Sequence, residues 1–536
     1  MPVPVRPHPT PSRRAILVAG TAASLIFALL FVLTMPANFT EAEDALYYAA
    51  NVRDGSPVWH PNHLVYEPFN HAVMTALHWA GFAPSALVTM QSVSLIFMAA
   101  ALGLLFVLVA QASGSYAKAA GASGAFAFAF GPWLYGAYPD TYAIPLVFVF
   151  GAVLALHGLL IKMHSPKPQM AGLVLGLAGS LALAIMFHQQ HVFTAIAVLG
   201  CVLFAGGPIP VSRRLGVAAA VAAVLGVLVG GAYFATGAFI LGFDTPSQTL
   251  AWARGLASGG LWVTPGWLSP VHALVGLGST LWPLFFLFEN GPMLDAIAQA
   301  FPGKFIVEEQ QIAASGLVLG FWGQGVLSLT NAALLGGLAF AALADRKTQT
   351  ARLLSTLSAI IGATGAVAVT MWEPLNKEFW IAVLPFLFIP IVVSLDLTRR
   401  SRRLVLGAFV GTLFANSLLG GIAAFTRQQS DYWYTQLSYP IEKLGPDDIF
   451  VDLCSYMCES YLGYFSDVQL IDVEDQMDIS TTPAPGRIFI TQAALTWAGA
   501  DRFGALKKTS QPGLFQPCSP ASDTQTSTGA VCPENQ

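Results

Sequence analysis

The chain alternates long apolar runs with short polar breaks, and that rhythm predicts its architecture. Runs of about 20 apolar residues are long enough to cross a bilayer as helices. They fall at roughly 15–34, 87–110, 119–137, 142–161, 170–187, 191–206, 214–241, 317–343, 351–371, 379–397 and 404–424. In hydrocarbon every backbone N–H must be paired within its own segment, so each run is expected to be helical. The reading is an α-helical polytopic membrane protein with about 11 transmembrane helices. One more run, 270–288, looks long enough to span, yet counting it would put Arg346 and Lys347 on the outer side. It is read instead as a re-entrant or interfacial helix in a long outer loop, 242–316. Trp252, Trp262, Trp267 and Trp282 suit such a boundary position.

The pattern changes near the C-terminus. Residues 449–453, 468–473 and 487–492 cluster or alternate apolar positions as short strands do, and CSYMCESYLGYF between the first two suits a helix. These predict a small α/β soluble domain at 429–508, outside the membrane, following a transmembrane unit at 15–428. Residues 509–536, rich in Ser, Thr, Pro, Gly and Gln, are expected to form a disordered tail. Residues 1–14 are Pro-rich and basic, and the run after them is long for a secretory signal and lacks a good cleavage site.

Charge then orients the chain. The 25 Lys and Arg against 29 Asp and Glu give a net charge of −4, which suggests no nucleic-acid partner. Lys118, Lys162, Lys167, Arg213, Arg214, Arg346, Lys347, Arg352, Arg399, Arg400, Arg402 and Arg403 fall at ends expected to be cytoplasmic. The N-terminus is therefore expected inside and the C-terminus outside. Cys454, Cys458, Cys518 and Cys532 in the polar C-terminal part suit an oxidising compartment. Cys454 and Cys458, one helical turn apart, can pair with each other or with the tail. Short loops and abundant Ala and Gly suit a bacterial inner membrane.

With that topology the unusual polar residues collect on the outer face. The first outer loop, 35–86, carries Glu41, Glu43, Asp44, His60, His63 and Glu67. Later outer segments add Tyr138, Asp140 and Tyr142 in GPWLYGAYPDTYAIP, His188 and His191 in HQQH, Arg254, and Trp372, Glu373, Lys377 and Glu378 in MWEPLNKEFW.

An acidic loop after the first span, a second acid in a W…D…Y turn and the segment WEPLNKEFWIAVLPFLF resemble the GT-C membrane glycosyltransferases. The protein O-mannosyltransferase and aminoarabinose-transferase types come closest, over roughly residues 15–424. The resemblance implies transfer of a sugar from a polyprenyl-phosphate carrier to a lipid, glycan or protein acceptor outside the cytoplasm. It makes Asp44 the catalytic carboxylate, with Glu43 or Glu41 as near alternatives, because the acceptor must lose a proton as it attacks. Asp140 becomes the second acid, orienting acceptor or metal, and Lys377 faces the carrier phosphate. The chain departs from the family by offering Lys-Glu-Phe where many relatives have Arg-Tyr, replacing a bidentate fork by a point charge.

Around these, His60, His63 and Arg254 are candidates for the donor phosphate. Tyr138, Tyr142, Trp372 and Glu373 are candidates for substrate contact. His188 and His191 are candidates for a divalent metal, since imidazoles suit such ions, although His pairs at this spacing also serve as polar or purely structural contacts. A transporter or flippase for a lipid-linked or polar substrate is the alternative. Such proteins place polar groups at the bilayer midplane on broken helices, often in paired repeats, whereas here the charges gather at one surface.

Overall fold

The structure, a computed structural model, describes residues 12–42, 44–165, 169–204, 209–255, 262, 266–300, 306–315, 317–345, 349–474, 487–498 and 506–517. The first span, α1 (Arg13–Leu33), starts on a Ser12 cap whose Oγ accepts from Ala15 N at 3.2 Å. Two shorter helices follow, α2 (Ala45–Arg53) and α3 (Tyr66–Trp79), then the long α4 (Ala86–Ser113). Next come α5 (Tyr116–Phe128), α6 (Phe130–Tyr135), α7 (Ala143–Lys162), α8 (Ala171–Phe187), α9 (His191–Phe204) and α10 (Val211–Ala235). The described residues of the segment expected as a long outer loop fold into α11 (Pro246–Arg254), α12 (Ser269–Leu281), α13 (Gly291–Ala300) and α14 (Val307–Ala314). The membrane unit closes with α15 (Phe321–Ala344), α16 (Gln349–Trp372), α17 (Lys377–Trp380), α18 (Leu384–Ser394) and α19 (Arg400–Ser417), which runs on through a π-turn to Phe425.

Among the described residues, eight helical segments are long and apolar enough to cross a membrane. The other three expected runs are helical but shorter. Pro132 explains one. A helix continuing from Phe128 would drive the proline ring into the Phe128 carbonyl, so the chain breaks at Ala129, whose ψ of 142° is extended. The carbonyl freed by that break accepts from Ser417 Oγ at 2.7 Å, so no polar group is orphaned. The HQQH turn separates the other two, α8 with 17 residues and α9 with 14. The α12 helix has 13 residues, about 20 Å at 1.5 Å each, well short of a hydrocarbon core of about 30 Å.

Small residues set the helix crossings. A Cβ added at Gly103 of α4 would lie 3.0 Å from the Gly20 carbonyl oxygen of α1, so these helices meet backbone to backbone. Gly276 of α12 packs harder still, against the Pro374 carbonyl, which also accepts from Trp380 Nε1 at 2.9 Å. That contact holds the Glu373–Trp380 corner beside α12.

At one end of the bundle the basic residues cap or pair. Lys118 Nζ donates to Val393 O at 2.8 Å and Arg213 Nη1 to Met163 O at 2.6 Å, while Arg402 Nε lies 3.6 Å from Asp345. The soluble unit lies at the other end. The span that begins with α19 ends in α20 (Ala423–Phe425), and the soluble unit's helices are α21 (Tyr432–Gln436) and α22 (Ser438–Lys443), then α23 (Tyr456–Phe465) and α24 (Gln492–Ala498). Its strands are β1 (Ile449–Asp452), β2 (Gln469–Asp472), β3 (Ile488–Thr491), β4 (Leu506–Lys508) and β5 (Leu514–Pro517), in the order β2-β1-β3-β5-β4. The first three are parallel, with α23 as the β1–β2 crossover, and β5 runs antiparallel to both β3 and β4. The domain boundary expected at 508 therefore moves, because β5 pairs into the sheet and ends at Pro517. Residues 518–536 of the expected tail lie outside the described residues.

The packing at Gly276 gives a first test. Gly276→Ala forces a Cβ against a carbonyl that cannot retreat, and overpacking of this kind costs about 1–3 kcal/mol. Gly278→Ala, two positions on with nothing within 4 Å of its Cβ, gains helix propensity instead. Thermal unfolding in detergent should show the first variant melting lower than the parent and the second at or above it.

Candidate active site

The outer loop after α1 is placed by the opposite end of the chain. Ala37 N and Asn38 N both donate to Phe425 O, at 2.8 and 3.1 Å, and Asn38 Nδ2 donates to Ser430 Oγ at 2.9 Å. Phe39 N donates to Asp431 Oδ2 at 2.8 Å. With the loop pinned, α2 begins directly after Asp44, and its carboxylate stands at the rim of a cavity of about 1130 Å³.

Asp44 is exposed to this cavity and held by two tyrosines. Tyr48, one helical turn on, donates its hydroxyl to Oδ2 at 2.8 Å, and Tyr456 of α23 donates to Oδ1 at 2.7 Å. The Tyr48 oxygen also lies 3.2 Å from His63 Nε2, linking the carboxylate to the imidazoles. Burial, then the neighbouring Asp44, drives the Tyr48 phenol well above its ordinary range, so it stays a donor.

The two histidine motifs converge. His60 and His63 stack with ring centroids 4.5 Å apart, and Gln189 N donates to Asn62 O at 2.6 Å, tying HPNH to HQQH. Tyr233 Oη fixes the same turn by donating to Pro61 O at 2.6 Å. Burial lowers the pKa of both His60 and His63, for His63 with further repulsion from His60 and His188. Both rings are thus neutral at physiological pH, and the His63 Nδ1 is buried with no hydrogen-bond partner. His188 and His191 also line the cavity, their ring centroids 6.3 Å apart. Among the described residues no three His, Cys, Asp or Glu side chains are grouped as a metal would require.

Asp140 is buried on the cavity wall, its Oδ1 accepting from Thr141 N at 2.5 Å. Tyr142, Trp372, Glu373 and Arg254 line the cavity too. Among the described lining residues Arg254 is the sole Lys or Arg. The cavity runs down between α8, α10 and α16 along apolar walls that include Ile185, Val229, Ile361 and Val369.

Three expected site residues stand elsewhere. Lys377 forms an ion pair with Glu41, with its ammonium 5.5 Å from the Phe285 ring centroid and 5.9 Å from that of Phe130. A largely buried ammonium among aromatic rings needs a counter-charge, and Glu41 supplies it. Neither lines the cavity, so a phosphate-facing Lys377 would have to give up its partner. Tyr138 is buried and donates to Asn38 O at 2.6 Å, shaping the loop rather than the cavity. Glu43 lies outside the described residues.

Conversely, Tyr48, Tyr456, Glu67, Asn376 and Glu378 line the cavity without having been singled out as site residues. The spacing of Tyr48 from Asp44, i to i+4 on one helix, is a signal the sequence carries. Glu67 is buried, with Oε2 accepting from Val58 N at 2.9 Å and Oε1 unpartnered. Burial pushes its carboxyl up to about 7.

No protein-family model matches the sequence, and no curated protein matches it. Among solved structures, ArnT from Cupriavidus metallidurans bound to undecaprenyl phosphate superposes with a TM-score of 0.56 at 10% identity, over 95% of this chain and 99% of that one. The apo state of that protein gives 0.48 at 12% identity, over 93% and 97%. The S. cerevisiae protein O-mannosyltransferase Pmt1–Pmt2 complex bound to the sugar donor gives 0.35 at 16%, over 46% of this chain and 35% of that one. The first likeness shows that this chain shares the fold of that protein.

Glu67 gives a sign-definite pH test. Its folded pKa stands above its ordinary 4.5, so the folded protein keeps this proton between about pH 4.5 and 7. The group's contribution to stability is complete below pH 4.5 and is lost as pH rises through 7, about 3 kcal/mol at about 1.4 kcal/mol per unit. Glu67→Gln imitates the protonated form. Melting temperatures measured from pH 5 to 8 should fall for the parent and stay flatter for the variant.

Proposed function

We propose that the chain is an integral-membrane glycosyltransferase that moves a sugar from a polyprenyl-phosphate donor to an acceptor on the extracytoplasmic face. Asp44 is its general base. The observation that carries this reading is the position of Asp44: an exposed carboxylate, oriented by two tyrosines, at the polar mouth of a cavity whose lower walls are apolar. The same cavity offers a charged head for a sugar phosphate and an apolar wall for a lipid tail. The fold shared with an undecaprenyl-phosphate-bound protein supports the choice of donor.

In this mechanism the acceptor hydroxyl or amine attacks the anomeric carbon and gives its proton to Asp44. The bond from that carbon to the phosphate oxygen breaks, and polyprenyl phosphate leaves with the electron pair. Arg254 offsets the charge that develops on the leaving oxygen. His60 and His63, kept neutral by burial, offer hydrogen bonds to the sugar or phosphate without competing for the base's proton. Asp140 orients the acceptor, and Tyr142 and Trp372 give the sugar ring apolar faces. The paired basic end of the bundle is cytoplasmic by its charge, which puts the soluble domain and the site outside, in a bacterial inner membrane.

The test is sugar transfer by the purified protein from a panel of polyprenyl-phosphate monosaccharides. Free polyprenyl phosphate should appear with the parent, and Asp44→Asn should lower kcat at least about a hundredfold with donor KM little changed. Arg254→Ala should instead raise donor KM. Unchanged turnover in Asp44→Asn would transfer the base role to Asp140. No release from any donor would overturn the enzyme reading in favour of transport.

A further inference from the structure

Tyr456 belongs to the soluble domain, yet its hydroxyl reaches Asp44, 412 positions away, at 2.7 Å. The placement is held at several points. The Cys454–Cys458 disulfide, with Cα atoms 5.3 Å apart, brackets Tyr456 and ties the strand exit to the first turn of α23. At the far end of the same helix, Arg53 Nη1 donates to Tyr464 O and Nη2 to Gly463 O, both at 2.9 Å. A guanidinium on the last carbonyls of a helix also meets the negative end of its dipole. Between these ties the Tyr47 and Tyr456 rings pack with centroids 6.0 Å apart. So α23 lies along α2, locked at both ends, with Tyr456 at the end where Asp44 stands.

We propose that Tyr456 is a positioning residue for Asp44 and that the closed Cys454–Cys458 disulfide holds it in place, so that the site is complete only when the soluble domain is docked and oxidised. The proposal rests on the glycosyltransferase reading above. Tyr48 alone fixes one carboxylate oxygen from within its own helix, which leaves the other free to swing about the side-chain torsions. Tyr456 fixes that second oxygen. Each oxygen keeps a further lone pair for the acceptor proton, so two phenols orient the base without blocking it. A base held to one orientation is what proton transfer from a positioned acceptor requires. The soluble domain thereby supplies a group that the membrane unit lacks, and the disulfide makes its supply conditional on the redox state outside the membrane.

The full-length protein tests this. Tyr456→Phe removes only the hydroxyl. It should lower kcat about tenfold, the scale of one hydrogen bond to a charged group, while donor KM and melting temperature stay close to the parent. Cys454→Ser with Cys458→Ser should do the same, as should dithiothreitol on the parent. There the reagent supplies two electrons and two protons, the S–S bond opens to two thiols, and the reagent closes to its cyclic disulfide. Dithiothreitol should leave the residual rate of Tyr456→Phe unchanged. Unaltered kcat in Tyr456→Phe, or equal further loss on reducing it, would overturn the proposal. A second readout does not need turnover. Hydrogen exchange across 45–53 should quicken on reduction, and unchanged exchange would refute the latch. If the parent transfers no sugar but exchange responds, the enzyme reading fails while the disulfide-held docking stands.

Discussion

A buried carboxylate holds the outer face together. Asp431 accepts from Phe39 N at 2.8 Å, from Tyr434 N at 3.0 Å and from Tyr461 Oη at 2.6 Å. Those donors come from the loop after the first span and from two helices of the soluble unit, α21 and α23. Burial pushes the Asp431 carboxyl up, and the donors pull it back toward its ionised form. Loss of any one would leave a buried acceptor short of a partner, which costs far more than a surface contact. One side chain therefore joins three parts of the chain whose relative placement decides where Asp44 points.

The site built on that joint separates its charges by function. Glu41 and Lys377 pair with each other beside the cavity, which keeps the first loop and the Glu373–Trp380 corner in register. Asp44 keeps access to the cavity. Imidazoles that burial keeps neutral surround it, so the mouth is polar without carrying a competing cation. Arg254 remains as the described lining cation, at the C-terminal end of α11, where the proposed reading has it meet the donor phosphate.

Much of this was legible in the chain. Hydropathy located the helices because the bilayer allows few alternatives for a long apolar run. The crowding of Asp44, His60 and His63 in one loop, and of His188 and His191 in another, marked the cavity because ionisable groups are costly near a membrane. Pairing was less legible. Lys377 looked phosphate-facing because a motif carries no record of the partner a side chain meets, and Glu41 lies 336 positions away. Tyr456 was invisible for the same reason. The break at Pro132 was readable in principle, but the hydrophobic run continues through it and hides the change of direction. The strand at Leu514–Pro517 was masked by a composition that resembles a tail.

The two tyrosines on Asp44 reach it by different routes. Tyr48 is local: its place follows from the helix period, and any chain that forms α2 has it. Tyr456 is non-local, and its place depends on α23 docking along α2. That docking combines apolar packing, in which Met457, Tyr461 and Leu462 share one buried cluster with Ala45 and Leu46, with directed ties, namely Arg53 to two carbonyls and the Asp431 joint. Directed ties fix orientation where a greasy interface would permit sliding. On the proposed reading, a base that must present one oxygen to an acceptor needs that kind of constraint on its open side. Among the described residues, the group that meets this second oxygen comes from the soluble domain.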